Sequence, residues 1–129
     1  MINEDQCMEL LLKEMPKFEP AWLVHLEYWG EDKAGLSNDI SEFSAYIISS
    51  ITETDDSEKQ SLFILVEELL NTGDDAVKDA IATCFLENIL NAVSDKKFSS
   101  DEFVHLLGNE SKAYCKSWDE YTEVETPNL

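Results

Sequence analysis

The stretch SEKQSLFILVEELLNTGDDAVKDAIATCFLENILNAV, residues 57–93, decides the fold. Leu62, Val66, Leu69 and Leu70 precede Gly73-Asp74-Asp75, and Val77, Ile81, Cys84, Phe85, Ile89 and Val93 follow it. Recurrence every three or four residues marks one face of an α-helix, whereas a strand alternates every two. Ser57 and Gln60 have capping-box spacing and predict a helix start near Ser57, with Gly73 as its end. Only Asp74 and Asp75 separate it from a following helix, expected over about Asp75 to Val93. So short a connection packs two helices as an antiparallel hairpin. The second helix confines Lys78, Thr83, Glu87 and Asn91 to a narrow polar strip beside a wide apolar arc, which predicts a central position.

Similar punctuation runs through the rest of the chain. Asn3 is a candidate N-cap for a helix reaching Met15, with Met8, Leu11, Leu12 and Met15 on one face and Pro16 ending it. A second helix is expected from Pro20 to Trp29, stopped by Gly30. A third, about Asn38 to Thr52, carries Ile40, Phe43, Ile47 and Ile51 in one stripe and turns Ser41, Ser44 and Ser49 elsewhere. Ser99 and Glu102 form a capping-box pattern, with Phe98 and Phe103 spaced as a hydrophobic staple, and predict a sixth helix that Gly108 ends. The last begins near Asn109 and spaces Tyr114, Trp118 and Tyr121 at i, i+4 and i+7. No repeat of fixed period occurs. The expectation is an all-α, single-domain irregular helical bundle of about seven helices in antiparallel hairpins, spanning residues 1–123, with a frayed tail over 124–129.

Charge bounds the function. The chain has 28 acidic residues against nine lysines, no arginine, and a formal net charge of −19. Such a field repels nucleic acid, anionic lipid and phosphorylated small molecules and steers basic proteins toward the surface. Without arginine the usual fork for phosphate or carboxylate is missing. With 43% hydrophobic residues in clear periodicity the chain offsets its ordering entropy and folds. Met1-Ile2-Asn3-Glu4-Asp5 has no signal-peptide pattern and the longest apolar run, Leu62 to Val66, is far short of a membrane span, so a cytoplasmic protein is expected. Cys7, Cys84 and Cys115 are odd in number and dispersed, which predicts reduced thiols, Cys84 in the core.

Chemistry-bearing patterns are sparse. His25 is not part of HExxH, and Glu102 with His105 makes only one of the two Glu-x-x-His pairs a di-iron bundle uses. The acidic run Glu53 to Glu58 lacks the mid-loop glycine of a calcium site. Asp56-Ser57 at the start of an apolar helix is similar to the prosthetic-group serine of acyl-carrier proteins, but glutamate follows it here and the simpler reading is an N-cap. No nucleophile–base motif or phosphate loop is present, so no catalytic residue, cofactor or metal is assigned and the chain is expected not to be an enzyme.

Two stretches resemble a family of small helical bacterial proteins associated with immunity functions beside polymorphic toxins. They are Glu9-Leu10-Leu11-Leu12-Lys13-Glu14-Met15-Pro16 leading to His25-Leu26-Glu27-Tyr28-Trp29-Gly30, and Asp74-Asp75-Ala76-Val77-Lys78 leading to Ile81-Ala82 and Phe85-Leu86-Glu87-Asn88. The resemblance implies an immunity protein, of contact-dependent growth inhibition or another polymorphic toxin system, that neutralises a cognate basic toxin domain such as a nuclease by covering its active site or substrate-binding surface. It carries over no catalytic motif. The implied partner is that toxin, bound 1:1 by a monomer, with no direct nucleic acid, membrane or small-molecule substrate. The alternative is an acidic interaction adaptor or nucleic-acid mimic on a basic host protein.

If the helices alternate in direction, the turns after helices two, four and six share one end of the bundle. Glu31, Asp32, Asp74, Asp75 and Glu110 then gather there beside Trp29, with Lys33 and Lys78 as the nearby cations. At the other end Lys96 and Lys97 are expected to meet Glu53, Asp55, Asp56 and Glu58. Trp22 and Trp118 are expected to pack on the core, and the first end, with Trp29 as aromatic anchor, is the expected partner-binding surface.

Overall fold

The computed structural model describes residues 1–129 as one all-α domain. Its helices are α1 (Glu4–Glu14), α2 (Glu19–Trp29), α3 (Leu36–Ser50), α4 (Asp56–Thr72), α5 (Asp75–Ala80), α6 (Glu87–Ser94) and α7 (Asn109–Thr122). A π-helical stretch, Ile81–Leu86, joins α5 to α6, so the long central helix expected after Asp75 is continuous to Ser94 but carries one wide turn. No strand forms. The single extended pairing sets Ile2 beside Gly73, with the Ile2 amide donating to the Thr72 carbonyl and the Asp74 amide to the Ile2 carbonyl, each at 2.8 Å.

The core is organised by aromatic contacts. All six phenylalanines form one continuous row, Phe18 to Phe43 (5.1 Å between ring centroids), Phe43 to Phe85 (5.9 Å), Phe85 to Phe63 (6.0 Å), Phe63 to Phe103 (5.6 Å) and Phe103 to Phe98 (6.1 Å). The row links the turn before α2 to the segment before α7 through α3, the π turn and α4. The stripe Ile40, Phe43, Ile47 and Ile51 is fully buried as its spacing implies. Every α-helix places an apolar side chain in the buried core except α2.

Several local expectations are corrected. Helix α4 is capped by Asp55, whose carboxylate accepts from the Glu58 amide at 2.7 Å, so Ser57 lies exposed inside the first turn. A carboxylate offers the helix N-terminus a full negative charge, where serine offers only a dipole. The expected sixth helix is two 3₁₀ turns, Ser100–Glu102 and Val104–Leu106. The reciprocal half of the Ser99 capping box does not form, because the Glu102 carboxylate turns instead to the buried Lys59 ammonium at 3.3 Å. The staple nonetheless closes, Phe98 meeting Phe103 edge-on.

Ser44, expected to face away from the core, is fully buried and its hydroxyl reaches the Cys84 carbonyl in the π turn. Asn88 Nδ2 donates to the same carbonyl at 2.6 Å. A π turn breaks the regular i to i−4 ladder, and side-chain donors engage the backbone there. Cys84 itself is only half-buried beside that turn. Finally, the tail after Glu123 is tied down. Asp119 accepts from the Thr126 amide (2.7 Å) and hydroxyl (2.8 Å), Ser100 donates to the Pro127 carbonyl (2.8 Å), and Asn128 donates to Asp101 (2.6 Å). Leu129 packs against the core, which gives the tail an apolar anchor that its composition does not reveal.

Candidate functional site

Helix α2 inverts the usual arrangement of an amphipathic helix. Of its eleven residues only His25 is buried, while Leu23 (55% exposed), Val24 (68%), Leu26 (45%) and Tyr28 (82%) face solvent. Helix α3 and the flanking turns hold it in place. The attachment to α3 is polar: His25 Nε2 donates to Asp39 Oδ1 at 2.8 Å, and Nδ1 lies 4.0 Å from the Glu42 carboxylate. The imidazole also stacks on Trp22, with ring centroids 5.6 Å apart. A buried imidazole needs such partners, and Asp39 satisfies it.

Between α2 and α1 lies a cleft of about 480 Å³. Trp22, Leu26 and Trp29 form one wall, while α1 contributes Met8 and Leu12 with Asp5 and Glu9. Glu4 and Asp39 also line it, against one lysine, Lys33. The cleft is closed at one end by the loop after α2, in which Gly30, Lys33 and Gly35 all have positive φ (57°, 46° and 86°). That sharply turned loop swings the chain from α2 into α3.

The residues expected at the partner-binding end do not form one site. Trp29 lines the cleft with Glu4 and Asp5, whereas Asp74 adjoins the start of α1 through the hydrogen bond its backbone amide donates to the Ile2 carbonyl. Glu31 and Asp32 are exposed in a 3₁₀ turn, and Asp75 is exposed in the first turn of α5. Asp74 caps α5, accepting from the Val77 amide at 2.9 Å. None of Glu31, Asp32, Asp74, Asp75 or Glu110 lines the cleft; its acidic wall comes from α1. At the opposite end neither Lys96 nor Lys97 forms an ion pair, and Lys59 pairs with Glu102 at 3.3 Å and with Asp56 at 3.9 Å. Trp118 packs against the core, as does Trp22, although both remain half-buried. The cleft acids Asp5 and Glu9 and the polar pin His25–Asp39 carried no motif. Their one signal was α2 itself, whose residues 21–29 are almost entirely apolar and leave no solvent face.

Glu110 marks a separate device. Glu67 on α4 accepts from the Glu110 amide (2.9 Å), the Ser111 amide (2.9 Å) and the Ser111 hydroxyl (2.8 Å), and so caps α7 from another helix. Burial raises the Glu67 pKa, but these hydrogen bonds outweigh it and hold the carboxyl below its ordinary 4.5. A depressed folded-state pKa contributes stability that is complete above the unfolded value and disappears as pH falls through the folded one. Urea unfolding at a series of pH values is therefore expected to show wild type more stable than Glu67→Gln by about 1 kcal/mol at neutral pH. The difference should close below pH 4.5, as Glu67 protonates. A difference that persisted at the lowest pH would contradict this cap.

Chemical reactivity is muted elsewhere. Burial first, then Asp74 and Glu4, push the Cys7 thiol up to about 12; burial and then Asp119 do the same to Cys115. Both stay protonated at neutral pH. Burial and a hydrogen bond to Glu87 raise the pKa of Tyr114. Nowhere do three histidine, cysteine, aspartate or glutamate side chains converge in a metal-binding group, and His105 is exposed. No helix is long and apolar enough to cross a membrane. A family model, described as a domain of unknown function (DUF7674), matches residues 8–123. No curated protein and no solved structure matches the chain.

Proposed function

Because the chain belongs to the family described as a domain of unknown function (DUF7674), which names no activity, we propose a function from its own surface: a non-enzymatic immunity protein that binds and neutralises a cognate basic toxin domain in the cytoplasm. The observation that carries this reading is the conjunction of a −19 net charge with an exposed, aromatic-rimmed apolar helix beside an acidic wall. Charge steers a basic partner to the surface, and buried aromatic and aliphatic anchors hold it there. Trp29 is the anchor nearest the bundle end. Glu31, Asp32, Asp74, Asp75 and Glu110 contribute the surrounding field rather than the contact core, and inhibition follows from covering the toxin's active site or its substrate-binding surface. The cleft is a hydrogen-bonded, half-apolar surface with no nucleophile–base pair, which favours binding over turnover.

Co-purification with the product of an adjacent upstream gene, and killing by that product only in cells lacking this protein, tests the reading directly. Loss of all such association would remove it; capture on a basic host protein without any toxicity would establish the adaptor instead. The field contribution has its own test. Asp74→Asn with Asp75→Asn keeps capping ability and removes two charges, and is expected to slow association with the toxin several-fold at low salt and to flatten its salt dependence. Asp55→Asn with Asp56→Asn at the opposite end should change neither. The reverse pattern would move the contact to that end.

A further inference from the structure

Recognition by this protein has no strand edge to use, since its single extended pairing is one isolated bridge. That rules out β-augmentation, and the lack of arginine disfavours recognition of acidic motifs; an apolar row facing an anionic row across a cleft suits side-chain docking of a helix into a groove. The cleft between α1 and α2 offers two such rows of side chains. Trp22, Leu26 and Trp29 stand at i, i+4 and i+7 on one flank of α2, an apolar row about 10 Å long. Facing it, Asp5 and Glu9 stand at i and i+4 on α1, with Met8 and Leu12 below them. One row is apolar and runs for about two helical turns; the other is anionic and runs for about one.

We propose that this cleft seats a cationic amphipathic helix of the partner, its apolar stripe against Trp22, Leu26 and Trp29 and its lysines or arginines against Asp5 and Glu9. The inference rests on the immunity reading only in taking the partner to be a basic protein. Charge selects this occupant over a second copy of the chain, which would bring another −19 to the same acidic wall. Of the four large exposed hydrophobic residues on α2 only Leu26 lines the cleft, where it completes the apolar row with the half-buried Trp22 and Trp29. Val24 and Tyr28 fall on the flank of α2 away from the cleft, at 100° per residue, and are not part of the seat.

The test uses the full chain and a synthetic helix of about 18 residues with leucines on one face and lysines on the other, titrated by calorimetry at low and high salt. A scrambled peptide of the same composition controls for charge alone. The helix is expected to bind and the scrambled peptide to bind at least about tenfold more weakly. Leu26→Ser, an exposed position that the fold does not need, should weaken binding about tenfold. Asp5→Asn with Glu9→Gln should weaken it and reduce its salt dependence. Val24→Ser with Tyr28→Ser, and Glu53→Gln with Asp56→Asn at the far end, should leave it unchanged. Equal binding of the scrambled peptide, indifference to Leu26→Ser, or an equal loss from the Val24 and Tyr28 pair would overturn the proposal. So would a wild-type dimer in sedimentation that Leu26→Ser dissociates, since the occupant would then be a second copy. A toxin held by wild type and undiminished by the Leu26 and Asp5/Glu9 variants would sink this inference and leave the immunity reading standing. Groove binding of the peptide by a protein that protects no cell would do the opposite.

Discussion

Phe85→Ala is expected to lower the unfolding free energy by about 3–5 kcal/mol, measured by urea or thermal denaturation with circular dichroism. Phe85 is fully buried and is the middle link of the phenylalanine row, in contact with Phe43 on α3 and Phe63 on α4. Its truncation removes the transfer free energy of the ring and leaves a cavity. The site collapses poorly because the π turn that carries it is pinned at the Cys84 carbonyl by Ser44 of α3 and by Asn88 of the same helix. Small domains have only about 5–15 kcal/mol of total stability, so the variant should be partly unfolded near physiological temperature. Phe98→Ala, at the end of the row and with one ring neighbour, should cost less. Equal losses at both positions would argue that the row does not act as a continuous core.

Gly73→Ala carries the second large effect, with an expected loss of about 2–3 kcal/mol. The backbone angle there, φ −70°, suits any residue, so strain in the glycine is not the cause. A Cβ would lie 2.5 Å from the Leu69 carbonyl oxygen and 2.5 Å from Val77 Cγ1. Neither neighbour can swing aside, because one is helix backbone and the other a buried core side chain. The α4–α5 turn must open, and opening it disturbs the bonds that hold Ile2 between Thr72 and Asp74. Hydrogen exchange at the Ile2 and Asp74 amides should therefore accelerate along with the loss of stability. Gly108→Ala is the informative contrast. There the added Cβ meets Glu67 side-chain atoms at 2.5 Å, and a side chain can retreat at the smaller cost of the α7 cap.

The helices were legible because their signals are local. Stripes such as Ile40, Phe43, Ile47 and Ile51, and the two-residue link at Asp74-Asp75, need no knowledge of a partner to be read. Caps were legible only where the competing acceptor was also local. Asn3 caps α1 in a full capping box with Gln6, as its position predicts. Ser57 lost its role to Asp55 two residues before it, and Ser99 lost its reciprocal partner when Glu102 paired with Lys59, 43 residues away. For the candidate site, only Trp29 among the residues expected there lines the cleft. The acidic wall could not be inferred, because Asp5 and Glu9 look like ordinary solvated positions until α2 is laid beside α1.

By itself, then, the sequence determined the helical class, the antiparallel α4–α5 hairpin and the excess of negative charge. All of these follow from residue type and near-neighbour spacing, which act within a few turns of chain. Only the tertiary structure decided that α2 buries its histidine and exposes its leucines. It also decided that six phenylalanines form one row, that α7 takes its cap from Glu67, and that the tail is tied to Asp119 and Ser100. The physical reason is that a single amphipathic stripe fixes which face of a helix turns inward, but a helix apolar all round has no such preference. Its orientation is then set by the specific polar bond available when it docks, here His25 to Asp39, and that partner becomes visible only when the chain has folded.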